Sequence, residues 1–233
     1  MSSSIPVPRE AVLIVNAHSR RGQALFREAQ AKLAEAGIRL IEAHAVSDPA
    51  ELVPAVKAAV RGGAPMVIVG GGDGSLSCAV DELVDRDCVF ALLPLGTANS
   101  FARTLGIPVD LDGAIAAIAN GRPRRVDLGV IDGDYFANSA AIGLSPIVGA
   151  TIPPRLKRGL GRFGYLIWAV WSLIKFRPFA LTVEVGGERH MLSALEVRIA
   201  NGGFHGGVEV VDEADVDSGE IVVQAVVGRS RLR

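Results

Sequence analysis

The stretch that decides the fold is VIVGGGDGSLSCAVDEL, Val67–Leu83. It opens with a short apolar run rich in β-branched residues, which predicts a buried strand that ends at three consecutive glycines. A helix is predicted directly after the glycines, so they form the turn between a strand and a helix. Glycine lets backbone N–H groups come close to a ligand, and the start of a helix adds partial positive charge. Because ligands of open α/β sheets bind at the carboxyl ends of strands, this turn is predicted to hold a phosphate.

Asp73 lies within this glycine turn and restricts the kinds of ligand that the turn could bind. The Gly-Lys-Ser/Thr ending of a Walker A loop is missing, and the spacing differs from the dinucleotide fingerprint. A carboxylate would repel a bare phosphate, but the repulsion disappears if Asp73 holds Mg²⁺ or accepts a proton from a hydroxyl. The alternative is a tight turn without a ligand, in which Asp73 only caps the helix that follows.

A second loop of the same kind is LLPLGTANSFARTLGIP, Leu92–Pro108, which also follows a buried strand. Thr97 and Asn99 offer short polar groups there, and Ser100 is predicted to cap a helix that begins near Phe101. The alternative is again a capped loop that holds no ligand. Two such loops at the same edge of a parallel sheet favour the interpretation as a binding site.

Strands and helices alternate through the first half of the chain. The apolar strand segments are Ala11–Asn16, Ile38–Ala43, Met66–Gly70 and Cys88–Pro94, and helical segments separate them. This alternation predicts an α/β fold in which a parallel sheet is covered by helices on both faces. We assign residues 11–121 to this domain and residues 1–10 to a flexible tail.

The rhythm changes near Gly121, where strands begin to occur in pairs. The turn residues Asp132-Gly133-Asp134 separate two short strand segments, and Gly186-Gly187 separates two more. Such turns are typical of β-hairpins. Residues 122–233 are therefore predicted to form a second, mainly antiparallel β domain.

The composition excludes several classes of protein. The chain has 233 residues, of which 49% are hydrophobic and 21% charged, as is typical of a globular protein. A formal net charge of -1 argues against nucleic acid as a partner. Only two cysteines occur, which favours a reducing, cytoplasmic location. The N-terminus lacks the layout of a signal peptide, and no apolar run reaches the roughly 18 residues of a transmembrane segment.

The segment Arg155–Arg177 combines six basic residues, no acidic residue, two tryptophans and one tyrosine. Basic flanks with Trp and Tyr are typical of a helix at a membrane interface. The run Tyr165–Ile174, however, is apolar on all sides rather than on one. We therefore interpret the segment as a core helix of the second domain, with the membrane interface as the alternative.

Several motifs together resemble one protein family. They are VNAHSRRG, GGGDGS, LLPLGTANSFARTLGIP and the late segment NGGFHGGVEVVDEADVDSGEIVV, and their order is similar to that of the diacylglycerol kinase catalytic-domain family. That family includes bacterial diacylglycerol kinases, related bacterial lipid kinases and sphingosine kinases. The two glycine motifs are highly specific together, whereas GGDG alone also occurs in NAD kinases.

The resemblance implies a two-domain fold with ATP in the cleft between the domains, and Mg²⁺ as the second cofactor. Asp73 matches the central acidic residue of the family and is the catalytic candidate. Backbone N–H groups from Gly71 to Ser75 are expected to hold the phosphates. A structural Mg²⁺ site is implied in the second domain, with Asp215, Ser218 and Glu220 as its candidate ligands. The candidate nucleotide-binding residues, taken from the resemblance and the two loops, are Asn16, Ser47, Gly70, Gly71, Gly72, Gly74, Ser75, Thr97 and Asn99.

Some residues depart from the pattern of the family. Ser100 stands where many members have Asp, and Ser218 replaces the usual Asp of the metal turn, although Asp217 is adjacent. Members also continue beyond the last strand into a segment with a glutamate that is regarded as the general base, whereas this sequence ends at Arg233. We therefore expect the second domain to be incomplete, with Asp73 as the visible candidate for the base.

Together these features predict an ATP-dependent lipid kinase that acts on a diacylglycerol-like acceptor at a membrane surface. It is expected in the cytoplasm, peripheral to the inner membrane. Two alternatives stay open, namely an NAD kinase-like enzyme and a non-catalytic nucleotide-binding or regulatory homologue. The sequence also leaves the acceptor lipid and the oligomeric state open, with a homodimer among the alternatives.

Overall fold

The computed structural model describes residues 6–18 and 20–228. Residues 1–5 of the predicted flexible tail lie outside the described residues. The chain forms two compact units, one made of residues up to 138 together with 201–220, the other of residues 139–200 together with those from 221 onwards.

Strands and helices follow one another along the described part of the chain. The strands are β1 (Glu10–Asn16), β2 (Arg39–Val46), β3 (Met66–Gly71), β4 (Val89–Pro94), β5 (Gly129–Ile131), β6 (Asp134–Phe136), β7 (Ser139–Gly143), β8 (Phe179–Val185), β9 (Glu188–Ala200), β10 (Phe204–His205), β11 (Val208–Glu209) and β12 (Val222–Val227). The α-helices are α1 (Arg20–Glu35), α2 (Leu52–Arg61), α3 (Asp73–Ala79), α4 (Ser100–Thr104), α5 (Leu111–Asn120), α6 (Leu144–Thr151) and α7 (Pro154–Lys175). Short 3₁₀ turns occur at Pro49–Glu51 and Val80–Glu82.

The first unit is built on a parallel sheet with the strand order β2-β1-β3-β4. Successive side chains of a strand point to opposite faces, so each strand supplies two cores. Val12 and Ile14 lie in one core with buried residues of α2 and α3, whereas Leu13 and Val15 lie in another with residues of α1 and α5. Helices therefore cover both faces, which confirms the predicted α/β architecture.

Two antiparallel hairpins also belong to the first unit. Asp132 and Gly133, both at positive φ, form the predicted turn between β5 and β6. The second hairpin pairs β10 with β11. Buried Asn201 ties the returning chain to the unit, because its side-chain amide donates to the carbonyls of Asp127 and Ala137, each at 2.7 Å. Both hairpins therefore belong to the same unit as the parallel sheet. The sequence pattern instead predicts a domain boundary after residue 121.

The second unit contains an antiparallel sheet, as the sequence predicts. The long strand β9 pairs with β7, β8 and β12, and all three pairings are antiparallel. The N-terminal half of β9 pairs with β8, and its C-terminal half lies between β7 and β12, with Ala141 and Gln224 on either side of Arg198. Helices α6 and α7 connect β7 to β8.

Helix α7 does not have the environment of a core helix. Large apolar side chains such as Phe163, Ile167 and Ile174 are exposed, whereas Gly164 and Ser172 are buried. The interpretation of this segment as a core helix is therefore wrong for the exposed large apolar side chains from Phe163 to Ile174. No described helix combines the length and the apolar character that are needed to span a bilayer.

Candidate functional site

The two glycine turns of the first unit lie in contact, backbone against backbone. A Cβ atom added to Gly96 would lie 2.5 Å from the Cα atom of Gly72, closer than the 3.0 Å below which real Cβ contacts essentially never occur. The amide of Leu95 also donates to the carbonyl of Gly71, at 2.9 Å. Glycine at position 96 therefore allows the two turns to meet, and they lie together at the carboxyl ends of β3 and β4.

A pocket of about 240 Å³ opens where the two turns meet. The residues that line it are Asn16, Gly22, Leu25, Gly71, Gly72, Leu95, Gly96 and Thr97. Four of them, Asn16, Gly71, Gly72 and Thr97, are among the candidate nucleotide-binding residues. Complete small-molecule sites usually measure about 300–1,000 Å³, so this pocket suits phosphate groups better than a whole nucleotide.

Asp73 links the two turns through its side chain. Its Oδ1 atom accepts a hydrogen bond of 3.2 Å from the amide of Phe101, in the first turn of α4. Within the described part of the chain, the other carboxylate oxygen makes no hydrogen bond. Gly72, not Asp73, is the N-cap of α3. The alternative in which Asp73 only caps its own helix is therefore wrong, because its carboxylate caps the neighbouring helix.

Backbone amides at the start of α3 are available to a ligand. The amides of Gly72, Asp73 and Gly74 donate no hydrogen bond among the residues that the structure describes. The amide of Ser75, by contrast, donates to the carbonyl of Gly72 at 3.0 Å. Successive backbone N–H groups in a turn form a concave site that suits an anion. Of the amides from Gly71 to Ser75 that were expected to hold phosphates, those of Gly72, Asp73 and Gly74 are therefore the candidates that remain.

Asn16 and Ser75 form a polar pair beside the pocket. The side-chain amide of Asn16 donates to the Oγ atom of Ser75 at 3.2 Å. Glycine is needed at position 71, because a Cβ atom there would lie 2.6 Å from the Oγ atom of Ser75. Gly70 lies just before the turn, where a Cβ atom would lie 2.9 Å from the side chain of Val15. Glycine there allows β3 to pack closely against β1, and the nucleotide contact predicted for Gly70 stays a prediction.

Ser47 lies at the end of β2 and does not line the pocket. Its carbonyl accepts a hydrogen bond from Nδ1 of His18, with 2.9 Å between the two atoms. The amide of His18 in turn donates to the side-chain oxygen of Asn16 at 3.4 Å. Ser47 is therefore connected to the pocket through His18, and the nucleotide contact predicted for it stays a prediction.

Asn99 shapes the second glycine turn from within. It is 4% exposed, and its Oδ1 atom accepts from the amide of Gly96 at 2.9 Å. Its side-chain amide lies within hydrogen-bond distance of the carbonyls of Pro94 and Gly96, at 3.3 and 3.0 Å. Because both ends of the side chain are used inside the loop, the geometry supports a structural role. The predicted ligand contact of Asn99 stays a prediction.

Ser100 is the first residue of α4, and Asn99 precedes it as the N-cap, so the predicted cap is wrong by one residue. The Oγ atom of Ser100 accepts a hydrogen bond of 3.2 Å from the amide of Gly207, which lies in the turn between β10 and β11. This contact joins residues 107 positions apart in the sequence, and no local pattern predicts it.

The predicted metal turn is closed by its own hydrogen bonds. The hydroxyl of Ser218 donates to the carbonyl of Asp215 at 2.7 Å and accepts from the amide of Glu220 at 3.1 Å. The carboxylate of Asp217, the adjacent substitute ligand, pairs through Oδ2 with Arg124 at 2.6 Å, so a cation would have to compete with this ion pair. Among the described residues, no group of three or more His, Cys, Asp or Glu side chains could hold a metal. The residues of this turn therefore do not fit a Mg²⁺ site.

A larger groove of about 720 Å³ runs along the edge strand β4, and none of the candidate site residues lines it. Its walls combine apolar residues such as Phe90 and Ile107 with several arginines. Cys88 also lies there, and burial raises the pKa of its thiol. A raised pKa disfavours the thiolate, so Cys88 lacks the character of a nucleophile.

Comparison with known proteins gives the class of this protein and then its family. The sequence model described as the diacylglycerol kinase catalytic domain matches residues 10–131. The model described as the YegS C-terminal NAD kinase beta sandwich-like domain matches residues 138–233. Together with the fold and the paired glycine turns, these matches place the protein in the lipid kinase class. The chain belongs to the diacylglycerol kinase catalytic-domain family, as its motifs predict.

Individual relatives agree with this assignment. The protein named probable lipid kinase YegS of Salmonella arizonae is 31% identical over 229 residues, which cover 96% of this chain and 76% of the relative. The diacylglycerol kinase of Bacillus subtilis (strain 168) is 32% identical over 148 residues, or 62% of this chain and 49% of that protein. The match thus spans about half of the Bacillus subtilis enzyme.

A solved structure shares the fold. The crystal structure of a diacylglycerol kinase from Bacillus anthracis str. Sterne superposes with a TM-score of 0.74 at 23% sequence identity. The superposition covers 94% of this chain and 74% of that one. The arrangement of a parallel-sheet α/β part followed by antiparallel sheets is therefore common to both proteins.

Proposed function

We propose that this protein transfers the γ-phosphoryl group of ATP to the hydroxyl of a diacylglycerol-like lipid. The observation that supports this most is the contact between the two glycine turns around a small polar pocket. The three amides without acceptors, from Gly72 to Gly74, and the carboxylate of Asp73 belong to the same turn. A row of donors beside one carboxylate suits a phosphate chain that carries a bound cation.

Backbone groups supply most of the positive field in this proposal. Neither glycine motif contains a lysine, and Arg103 is the only basic residue in them. The guanidinium of Arg103 donates through Nε to the carbonyl of Ala98 at 3.1 Å, so it holds the second turn in place. Mg²⁺ bound with ATP would neutralise further charge, and Asp73 is the residue that would hold it.

The reaction itself is an in-line displacement at the γ-phosphorus. The acceptor hydroxyl loses its proton to a base, its oxygen bonds to the γ-phosphorus, and the bond from that phosphorus to the bridging oxygen of ADP breaks. Asp73 has one free oxygen, so it serves either as the ligand of the cation or as this base, and in the second case the phosphates alone hold Mg²⁺. Positioning and charge neutralisation would contribute most of the rate, since the phosphoryl group needs little covalent help.

An NAD kinase-like activity is the second candidate. It is favoured by the description of the C-terminal match as an NAD kinase beta sandwich-like domain, and by the shared GGDG motif. A non-catalytic nucleotide-binding role is the third candidate, and it is favoured by Ser100 at a position where many family members carry Asp.

Incubation with γ-labelled ATP, Mg²⁺ and a panel of acceptors separates the three candidates. We expect label in diacylglycerol or a closely related lipid. Label only in NAD would support the second candidate, and ATP binding without label in any acceptor would support the third. Either result would overturn the proposed lipid kinase activity.

The same assay tests Asp73 with a matched pair of variants. Asp73→Asn keeps an oxygen that can accept from the amide of Phe101 but removes the charge, so we expect turnover to fall at least about 100-fold with the fold intact. Asp81→Asn is the control, because the Asp81 carboxylate also accepts from a backbone amide, that of Tyr135 at 3.0 Å, but belongs to neither glycine turn. Equal activity of the two variants would contradict the assigned role of Asp73.

A further inference from the structure

Strand β4 lies at the edge of the parallel sheet and carries backbone groups without partners. In the described sheet it pairs with β3 alone, so its other edge is free. The amides of Val89 and Leu95 donate to carbonyls on the β3 side, at 3.0 and 2.9 Å. Because backbone groups alternate along a strand, Phe90 and Leu92 turn their N–H and C=O groups towards the free edge. Those four groups make no hydrogen bond among the residues that the structure describes.

The free edge forms one wall of the groove of about 720 Å³, which we call the β4 groove. Apolar side chains that line it include Phe90, Leu92, Leu105, Ile107, Ile118 and Val126. Leu92 is only 2% exposed, so its backbone groups lie in apolar surroundings. An unpaired backbone group in such surroundings costs free energy comparable to a lost hydrogen bond. The β4 groove therefore favours an occupant that supplies apolar surface together with hydrogen-bonding groups at the spacing of a strand.

The β4 groove is also positively charged. Its lining includes one acidic residue, Asp87, and four arginines, namely Arg86, Arg122, Arg124 and Arg125. In the described part of the chain only Arg124 has an ion-pair partner, the carboxylate of Asp217. The other three arginines are exposed to solvent. Charge complementarity therefore selects an acidic occupant.

An extended acidic peptide meets all three requirements. Its backbone can pair with Phe90 and Leu92, because a free sheet edge is a template for an added strand. Its side chains alternate between two faces, so apolar ones can enter the β4 groove while acidic ones reach the arginines. A fatty acyl phosphate would supply apolar surface and charge but would leave the backbone groups of β4 unpaired. A second copy of this chain, related by a twofold axis, would bring the same arginines against each other.

We propose that the β4 groove binds an extended acidic segment of a partner protein, which adds a strand to the parallel sheet beside β4. The contact is short, because Pro94 has no N–H group and its carbonyl already accepts from the side chain of Asn99 at 3.3 Å. The β4 groove shares no residue with the pocket at the two glycine turns. It is therefore an interaction site beyond the proposed kinase activity, and lipid phosphorylation is not needed to test it.

Fluorescence anisotropy of a short labelled peptide, in which glutamate and valine alternate, tests this proposal with the 233-residue protein. We expect binding that weakens as the salt concentration rises. Arg125→Glu should lower the peptide affinity at least about tenfold, because it reverses a charge in the β4 groove. Arg61→Glu is the matched control, since Arg61 is also exposed, belongs to the same unit and does not line the groove.

Two further measurements show whether the peptide binds as a strand. The same peptide methylated on its backbone nitrogens keeps its charges and side chains but loses its N–H donors, so we expect at least about tenfold weaker binding. Hydrogen exchange of the Phe90 and Leu92 amides should slow at least about tenfold when the unmethylated peptide binds, because both amides then donate to it.

Absence of peptide binding would overturn the proposal, and so would equal affinity of the methylated peptide or an equal loss in Arg125→Glu and Arg61→Glu. Binding of dodecyl phosphate that Arg125→Glu removes, without binding of the peptide, would assign the β4 groove to an anionic amphiphile instead. A peptide-free dimer whose dissociation constant Arg125→Glu changes, while Arg61→Glu does not, would assign it to a second copy of the chain.

Discussion

Asn99 fixes the conformation of the second glycine turn through both its backbone and its side chain. Its backbone is left-handed, with φ 50°, and its buried side chain bonds to the backbone of Pro94 and Gly96. A left-handed residue reverses the chain direction, and asparagine tolerates that conformation better than most residues. The side-chain amide also satisfies backbone groups that the tight turn leaves without partners.

Asn99→Ala should lower the free energy of unfolding by about 2–4 kcal/mol, since it leaves buried backbone groups unpaired and places alanine in a left-handed conformation. Asn99→Gly should recover the backbone part of that loss only. Urea denaturation measures both changes, with Asn120→Ala at the exposed end of α5 as a control that should have little effect. An unchanged unfolding midpoint in Asn99→Ala would contradict the structural role of this residue.

For single residues, the sequence identifies candidate site residues, but it does not predict which groups those residues contact. Asp73 stands out in sequence because it interrupts a row of glycines, but the amide of Phe101 that it binds is 28 positions away. Asn99 was predicted as a binding residue from its chemistry alone. Its positive φ and its burial depend on the folded loop, and sequence chemistry does not reveal them.

The turn from Asp215 to Glu220 is an element that holds itself together. Besides the hydroxyl of Ser218, it is fixed by the carboxylate of Asp127, which accepts from the amide of Gly219 at 2.7 Å. The amide of Asp127 donates to the carbonyl of Val216, also at 2.7 Å. These hydrogen bonds hold the backbone of the turn in place, which is the role that a bound cation would otherwise have.

Removal of divalent cations should therefore leave this element, and the unfolding midpoint, unchanged. We expect the same thermal unfolding curve in EDTA and in excess Mg²⁺ when ATP is absent. Ser218→Asp restores the carboxylate that the family usually has, and its unfolding midpoint is expected to rise on addition of Mg²⁺. A Mg²⁺-dependent midpoint in the parent protein would show that the turn binds the cation after all.

Helices and strands can be predicted from the sequence, but the side of each element that faces the protein cannot always be predicted. The strands of the parallel sheet are visible as short apolar runs between helical segments, and their positions agree with the structure to within a few residues. Helix α7 is visible too, but a run that is apolar on all sides does not indicate which side faces the protein. Only the burial of Gly164 and Ser172 in the structure gives its direction.

For the molecule as a whole, the sequence predicts two kinds of architecture, and the structure shows where the chain changes between them. The rhythm of strands changes near Gly121, but residues 122–138 and 201–220 belong to the unit of the parallel sheet. The side chain of Asn201 reaches Asp127 across 74 positions. Contacts at such separation depend on the assembled fold, so neither the sheet order nor the return of the chain is predictable from local patterns.

The most direct test of the central claim, that the paired glycine turns bind the phosphates of ATP, is the affinity of Gly74→Ala for ATP and Mg²⁺. A Cβ atom at Gly74 would meet no protein atom within 4 Å, and the same holds for Gly149 in α6, the control position. Alanine should therefore be tolerated by the fold at both helical positions. We predict that Gly74→Ala loses at least about tenfold in ATP affinity, because its methyl group would crowd the amides that hold the phosphates, whereas Gly149→Ala binds like the parent. Equal ATP affinity of the two variants and the parent would contradict the account.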